Sequence, residues 1–184
     1  MPRLLIVHHT SSPSLHSMFD AVRSGATDGR IEGVEVVTRP ALAATAVDVL
    51  DADAYVLGTP ANLGYMSGAL KHFFDQIYYP CLEATVGRRF GLYVHGNNDT
   101  DGAVRAIEKI ATGLRWQAAQ AAVTIVGDPD RACAYDADLC RHVSPAAGFN
   151  ASRRARRAPA EYRRSFASSG PRRAAHTSPE RRTR

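Results

Sequence analysis

The sequence predicts an α/β fold in which a doubly wound, five-stranded parallel sheet lies between two layers of helices. Strand and helix patterns alternate along residues 1–149, which is typical of parallel strands joined by crossover helices. Residues 4–7 form a continuous apolar run, as expected for a strand covered on both faces. A loop rich in glycine and proline follows residues 54–58, at the carboxyl end of a strand, where sheets of this type bind ligands.

Each element has its own pattern. The first, third, fourth and fifth strands are apolar runs, whereas the second alternates and fits a more exposed strand that Pro40 ends. In the helices, apolar residues recur at helical spacing, as Leu15, Met18 and Val22 do in the first. The predicted strands cover residues 4–8, 33–38, 54–58, 90–95 and 121–126, and the helices between them residues 14–24, 43–50, 67–78 and 102–114. A thin apolar stripe over residues 130–143, interrupted by two aspartates, predicts a poorly packed closing helix.

Charge divides the chain into two parts. The 184 residues include 23 Lys and Arg against 18 Asp and Glu, a net charge of +5. Residues 151–184 alone hold 11 Arg and two Glu, so residues 1–150 keep 12 basic and 16 acidic residues and a net charge of −4. The tail has no Val, Ile, Leu, Met or Trp and cannot bury enough apolar surface to fold. We therefore predict one domain over residues 1–149 and a disordered, arginine-rich tail over residues 150–184.

An arginine-rich tail can bind nucleic acid or an acidic membrane surface by neutralising phosphates. This tail lacks the aromatic interleaving of RNA-binding segments, and its composition also matches GC-rich DNA read in an unintended frame. We therefore do not expect it to bind nucleic acid. No apolar run is long enough to span a membrane or to form the core of a signal peptide, so no membrane partner is expected.

Cysteine and histidine usage excludes several classes of site. The three cysteines form no CxxC pair, which predicts a reducing cytoplasm and, for Cys81, a packed thiol. His8 and His9 point to opposite faces of a strand, so they are unsuited to bind zinc together with His95. No G-x-S-x-G motif and no Cys–His pairing supports nucleophilic catalysis.

The first loop, residues 9–16, has the character of a phosphate site. Ser12 is a good N-cap, and Pro13 fits the first helical position. The helix N-terminus offers N–H groups, and Thr10, Ser12 and Ser14 add hydroxyl groups. The alternative is that Ser12 caps the helix and nothing more. Neither GxGxxG nor GxxxxGK[ST] occurs, so a dinucleotide fingerprint and a P-loop are not supported.

The second loop, residues 60–67, combines backbone N–H groups with an amide, an aromatic ring and a thioether. This mixture suits a flat aromatic ligand with polar edges better than a metal or a phosphate. Gly64 allows close backbone approach, and Asn62 can bond a polar ring edge while Tyr65 or Met66 packs on the ring face. Alternatively, Tyr65 and Met66 close the top of the core.

The run G-T-P-x-x-x-G-x-M-S-G-x-L-K-x-F-x-D over residues 58–75 resembles the flavin-contacting segment of the flavodoxin-like fold, in particular of the NAD(P)H-dependent FMN and quinone reductases. The resemblance covers about residues 3–126 and implies the strand order 2-1-3-4-5. Flavodoxin-like proteins carry [ST]-x-[ST]-x-x-[ST] in the first loop. Here Thr10 and Ser12 match its first two positions and Leu15 stands at the third, where Ser14 or His16 can replace the missing hydroxyl.

The third loop, residues 95–102, completes the site that the resemblance implies. Gly96 and Asn97 form a tight turn whose N–H groups can meet the pyrimidine side of a flavin, His95 is expected near that flavin, and Asp101 is expected to cap the following helix. The cofactor-binding residues implied are Thr10, Ser12, Ser14, Pro60, Ala61, Asn62, Leu63, Gly64, Tyr65, Met66, His95, Gly96 and Asn97.

The resemblance implies an FMN-dependent oxidoreductase that passes hydride from NAD(P)H through the flavin to a quinone or similar acceptor, without a catalytic acid or base from the protein. It implies a small-molecule electron acceptor, and it allows a homodimer, since relatives often complete the flavin site across an interface. Two alternatives stay open. One is a flavodoxin that carries electrons to a basic partner, which an acidic domain would suit. The other is a flavodoxin-like binding module without flavin.

Overall fold

The computed structural model describes residues 1–29, 31 and 33–127. Within these residues, strands and helices alternate as the sequence predicts. The strands are β1 (Arg3–His8), β2 (Glu35–Pro40), β3 (Ala54–Asn62), β4 (Tyr65–Met66), β5 (Arg89–Gly96), β6 (Gln117–Ala118) and β7 (Val123–Val126), and the helices are α1 (Pro13–Ala26), α2 (Ala46–Asp51), α3 (Gly68–Cys81) and α4 (Asp101–Gly113).

The main sheet is parallel and runs β2-β1-β3-β5, with β6 and β7 both beside β5 at its far edge. This is the predicted order 2-1-3-4-5 with one difference, because the fifth position holds two short strands instead of one. Ala118 pairs with Phe90 and Val123 with Tyr93, so the chain between β6 and β7 is two residues longer than the stretch of β5 it faces. The extra residues interrupt the ladder as a bulge does.

Alternating side chains give the sheet two buried faces. On one face, residues such as Leu5, Leu57 and Val94 belong to a cluster shared with α2, α3 and α4. On the other, Ile6 and Val56 pack against α1. The predicted apolar stripes of the helices are the ones buried, including Leu15, Met18 and Val22 in α1 and Leu70, Phe73, Phe74 and Ile77 in α3.

Several predicted boundaries were wrong by a few residues. The helix expected over residues 43–50 begins only at Ala46, because Thr45 and Asp48 form a capping box in which each side chain accepts from the other residue's backbone N–H. The helix expected to end at residue 78 continues through Pro80 to Cys81. The third strand, expected to end at residue 58, continues to Asn62, with consequences for the site.

Arg88 fixes the end of the sheet at which the parallel strand β5 begins. Its guanidinium donates to the carbonyl oxygens of Val49 and Leu50, at the end of α2, and to the Tyr55 hydroxyl. A cation at a helix C-terminus opposes the helix dipole favourably. Cys81 is fully buried nearby, and burial raises the pKa of its thiol to about 12, as fits the predicted packed thiol.

The predicted closing helix over residues 130–143, the domain boundary at residue 149 and the arginine-rich tail lie outside the described residues. Among the residues that are described, no helix is both long and apolar enough to cross a membrane.

Candidate functional site: a cleft at the carboxyl edge of the sheet

The carboxyl ends of β1, β3 and β5 open into one cleft of about 420 Å3. Its volume lies within the range of small-molecule sites, and its place is the edge where open α/β sheets bind ligands. All three predicted loops contribute to it. The lining residues are Ser11, Ser12, Ser14, Pro60, Ala61, Asn62, Leu63, Gly64, His95, Gly96, Asn97, Asn98 and Asp99.

The first loop brings a helix N-terminus and three serine hydroxyls to the cleft. Ser12 is the N-cap of α1, as predicted, and its Oγ accepts from the Leu15 N–H at 3.3 Å. Pro13 occupies the first helical position and has no N–H to satisfy. The N–H of Ser14, in the first turn, has no intrahelical acceptor and is available to an anion.

His8, at the end of β1, holds Thr10 away from this arrangement. The His8 ring stacks on Phe19 with centroids 4.0 Å apart, and its Nδ1 lies 2.7 Å from the Thr10 hydroxyl. Burial lowers the pKa of His8, and the nearby His16 and His9 lower it further. Thr10 therefore anchors the start of the first loop to His8, and it is not among the lining residues.

The second loop is a β-hairpin, whereas the sequence predicted a polar turn. Ala61 pairs with Met66 and Asn62 with Tyr65, leaving Leu63 and Gly64 as a two-residue turn. Both turn residues have positive φ, 52° at Leu63 and 73° at Gly64, as a type I′ turn requires. The hairpin places Leu63 at its tip, where the side chain is fully exposed beside the cleft.

Two buried hydroxyls fix the base of this hairpin. The Thr59 Oγ1 accepts a hydrogen bond from the Ser67 N–H at 3.1 Å and lies 3.1 Å from the Ser67 hydroxyl oxygen. The Thr59 hydroxyl is also placed to donate to the Pro60 carbonyl oxygen, at 3.0 Å. Ser67 in turn caps α3 by accepting from the Leu70 N–H at 3.2 Å. Thr59 and Ser67 are both fully buried, so these bonds form away from water and join the hairpin to the start of α3.

The third loop also lines the cleft. Asp99 lies on the lining, and its Oδ1 accepts from the Asp101 N–H at 2.9 Å. Thr100 is the N-cap of α4 and Asp101 the first helical residue, so the prediction of Asp101 as the cap was wrong by one position. The Asp99 carboxylate satisfies the first N–H of the helix, because an aspartate can bond the N–H two residues on.

His95 stands at the end of β5, 7% exposed, on the floor of the cleft. Its Nε2 lies 2.7 Å from the Gly127 carbonyl oxygen. A carbonyl only accepts hydrogen bonds, so Nε2 carries a proton and donates it. This bond orients the ring and ties β5 to the residue that follows β7.

Most of the predicted site residues lie on the lining, and three do not. Thr10 bonds His8, Tyr65 is partly exposed on the hairpin, and Met66 is 2% exposed within the core shared with α3 and α4. Met66 thus takes the alternative role of closing the core, because its pairing with Ala61 turns it inward. The lining also includes Ser11, Asn98 and Asp99, which sequence reasoning missed although each adjoins a predicted residue.

The lining, as the described residues form it, contains no lysine or arginine. An anion in this cleft would therefore be held by N–H groups, hydroxyls and the dipole of α1. No group of three or more His, Cys, Asp or Glu side chains within the described part of the chain is arranged to hold a metal ion.

Comparison with known proteins identifies the fold. No family model matches the chain. A curated flavodoxin from Aquifex aeolicus (strain VF5) is 35% identical over 77 residues, which are 42% of this chain and 40% of that protein. The solution structure of two-electron reduced Megasphaera elsdenii flavodoxin superposes with a TM-score of 0.61 at 18% identity, covering 78% of this chain and 97% of that one.

The crystal structure of the flavodoxin, WrbA-like protein from Agrobacterium tumefaciens gives a TM-score of 0.56 at 20% identity, covering 78% of this chain and 98% of that one. The curated match spans less than half the length of either protein, while the structural matches extend over nearly the whole of theirs. Together with the strand order and the position of the cleft, they show that this chain has the flavodoxin-like fold.

Proposed function

We propose that the cleft binds FMN and that the chain is a flavoprotein oxidoreductase, which passes reducing equivalents from NAD(P)H to a quinone or similar acceptor. One observation carries the proposal. A hydroxyl-rich helix N-terminus, a glycine-containing hairpin and a loop rich in amide groups converge on a single cleft of about 420 Å3. These three parts fit the phosphate, the ring face and the polar ring edge of one molecule.

The first loop fits the phosphate. Ser11, Ser12 and Ser14 line the cleft together, and the Ser14 N–H adds a donor at the positive end of the α1 dipole. Only one such cluster lies on the described lining. We therefore expect FMN as the flavin and not FAD, which would need a second phosphate and an adenosine to be accommodated.

The second and third loops fit the ring. Asn62, Asn97 and the backbone near Gly64 and Gly96 offer hydrogen-bonding groups on the lining, and Leu63 offers apolar surface at the hairpin tip. The protein's part is to hold the cofactor, orient its edge and exclude water. When bound, FMN supplies the redox chemistry, accepting hydride from NAD(P)H and passing electrons on.

The absence of aromatic residues from the third loop supports the reductase activity. Residues 96–101 include no aromatic side chain, so this loop has nothing to stack on a flavin face in place of a nicotinamide. The segment 58–75 also resembles NAD(P)H-dependent FMN and quinone reductases. Neither feature selects NADH over NADPH or one acceptor over another.

A second candidate is an electron carrier, favoured by the curated relative that bears the name flavodoxin and by the acidic charge of residues 1–150. A carrier would exchange electrons with a protein partner of basic surface and would not turn over NAD(P)H by itself.

The visible absorption spectrum of the purified chain tests flavin binding. We expect the bands of a bound flavin, or their recovery when FMN is added to the colourless protein, and extraction should release FMN. A protein that stays colourless with FMN would contradict the proposal, and extraction of mostly FAD would overturn the choice of flavin.

Steady-state oxidation of NADH and NADPH by the FMN-loaded chain, with and without a quinone, separates the two candidates. The reductase proposal expects turnover well above that of the same concentration of free FMN. Turnover equal to that of free FMN, combined with reversible reduction of the bound flavin by dithionite, would favour the carrier instead.

A further inference from the structure

The hairpin and the helix that follows the third loop touch at a glycine. A Cβ atom built on Gly102 would overlap the carbonyl oxygen of Gly64. Gly64 is the second residue of the hairpin turn, and Gly102 is the second residue of α4. The hairpin tip therefore lies directly against the start of α4, at a place where the chain has no side chain.

This contact differs from that of other helix-start glycines. Gly68 begins α3, and a Cβ built there has no atom within 4 Å. At Gly102 the obstacle is backbone, which cannot rotate away as a flexible side chain can. Neither glycine has a positive φ, so the backbone conformation alone requires glycine at neither position. Gly102 has a reason to be glycine that Gly68 lacks.

The contact is also electrostatically favourable. Thr100, the N-cap of α4, makes no side-chain capping bond. The first turn of a helix carries partial positive charge from its unpaired N–H groups, and a carbonyl oxygen placed there is attracted to it. The Gly64 carbonyl occupies such a place. The hairpin is thus held at its base by Thr59 and Ser67 and at its tip by α4.

A second close approach joins the same two parts nearer the floor of the cleft. A Cβ built on Gly96 would overlap the Asp99 carbonyl oxygen of its own loop and would also come within 3.2 Å of the Ala61 side chain, which belongs to the hairpin. Residues of the hairpin and of the third loop both line the cleft. The distance between the hairpin and the third loop is therefore set by two contacts, one at Gly102 and one at Gly96, where a glycine allows the close approach.

We propose that Gly102 is a positioning residue, which sets the distance between the hairpin tip and the third loop and thereby the width of the cleft. Any side chain at position 102 pushes the Leu63–Gly64 turn outward. That this width matters for FMN rests on the proposed function, whereas the displacement of the hairpin does not.

The first arm of the test needs no ligand. Amide hydrogen exchange is measured on the full chain for wild type, Gly102→Ala and the matched control Gly68→Ala. We expect the amides of residues 61–66 to exchange about tenfold faster in Gly102→Ala, while exchange in the β1 and β5 ladders is unchanged. Gly68→Ala should behave as wild type. Unchanged exchange at residues 61–66 in Gly102→Ala would overturn the proposal.

The second arm measures FMN binding by quenching of flavin fluorescence, with the visible circular dichroism of the bound flavin as a signature of its surroundings. We expect the dissociation constant to rise on the order of 10- to 100-fold in Gly102→Ala, with an altered dichroism spectrum, since small misplacements of binding groups have effects of this size. Gly68→Ala should change it by less than about twofold. Faster hairpin exchange with unchanged FMN affinity and dichroism would overturn the positioning role.

If wild type binds no FMN while Gly102→Ala still loosens the hairpin, the proposed function fails and the structural part of the inference stands. If Gly102→Ala does not fold, a variant that combines it with a deletion in the hairpin turn shows whether the turn is the obstacle. Deleting Leu63 and Gly64 as well leaves Asn62 and Tyr65 as a two-residue turn between the paired Ala61 and Met66. Recovery of folding would identify the Gly64 carbonyl as the obstacle, and continued failure would contradict it.

Discussion

The hairpin and the first loop both line the cleft but are held in different ways. The hairpin is supported by the buried Thr59 and Ser67 hydroxyls and by the ladder between Ala61 and Met66. The first loop is held by the 3.3 Å capping bond to Ser12, by the bond between His8 and Thr10, and by a backbone bond from the His9 N–H to the Gly58 carbonyl at 2.9 Å. Its three serines, Ser11, Ser12 and Ser14, lie on the lining of the cleft, and none of them is buried.

The difference assigns different roles to similar residues. In the hairpin, hydroxyls bond the protein, so their loss should reduce stability. In the first loop, the serines lie on the lining of the cleft, so the loss of their hydroxyls should reduce ligand affinity more than stability. Both regions use the same hydroxyl groups, and the burial of each hydroxyl decides whether it supports stability or ligand binding.

The largest effect is expected at the base of the hairpin. Thr59→Val removes the hydroxyl oxygen that bonds both the N–H and the hydroxyl of Ser67. These two groups of Ser67 would then stay buried without that partner. We expect the free energy of unfolding to fall by about 2–3 kcal/mol, measured by urea denaturation. The matched control is Thr112→Val. The exposed Thr112 hydroxyl donates to the Glu108 carbonyl oxygen in α4, and its loss should lower the free energy of unfolding by less than about 0.5 kcal/mol. Equal losses would mean that the buried network does not support the hairpin.

A smaller loss of stability is expected in the first loop. Ser12→Ala removes the N-cap of α1 and should cost about 1 kcal/mol. Ser17→Ala, on the same helix, removes an exposed hydroxyl that bonds the Pro13 carbonyl and should cost less. Thermal denaturation of the two variants against wild type measures both. A loss at Ser12 as large as at Thr59 would remove the distinction between the two regions.

Lowering the pH should reduce stability through His8, which anchors the first loop. Burial lowers the folded-state pKa of His8 below 6.5, so between that pKa and 6.5 the unfolded chain binds more protons. Stability therefore rises with pH across this window, and the contribution of neutral His8 is lost as pH falls through it. Urea denaturation at pH 5, 6 and 7.5 should show a weaker pH dependence in His8→Gln than in wild type, whereas His72→Gln, at an exposed position on α3, should keep it. If stability changes with pH in His8→Gln as steeply as in wild type, His8 is not the source of the pH dependence.

The smallest effect is expected at the hairpin tip. Leu63 has a φ of 52°, and its side chain is fully exposed. Asparagine tolerates this backbone better than leucine, so Leu63→Asn should raise stability, by at most about 1 kcal/mol. Leu42→Asn, exposed outside the cleft and without positive φ, serves as the control and should bring no gain. A loss of stability in Leu63→Asn would mean that the leucine side chain makes contacts that its exposure conceals.

The sequence predicted best what local chemistry decides. Ser12 followed by Pro13 indicates a capped helix, and the apolar stripe of α3 identifies its buried face. The hairpin could not be predicted in the same way, because Leu63 at the turn has none of the glycine, asparagine or aspartate character of a type I′ turn. Its geometry follows from strand pairing and from the distant contact with Gly102.

Other differences also depend on partners far along the chain. The split of the fifth strand into β6 and β7 follows from their separate pairings with β5, and no residue pattern marks the two extra residues. Met66 faces the core because it pairs with Ala61, whereas its chemistry alone suited the cleft equally well. Composition and periodicity thus predicted the scaffold and the three loops, while pairing decided which side chains reach the cleft.

The ratio of the dissociation constants for riboflavin and FMN tests the central claim most directly, because the two molecules differ only in the phosphate. It is compared between wild type and Ser12→Asp, which keeps a good N-cap but brings a negative charge to the first loop. We predict that wild type binds FMN at least about tenfold more tightly than riboflavin, equivalent to about 1.4 kcal/mol, and that Ser12→Asp removes this preference without loss of thermal stability. Equal affinity of wild type for both molecules, or a preference that survives in Ser12→Asp, would show that the first loop does not hold the phosphate.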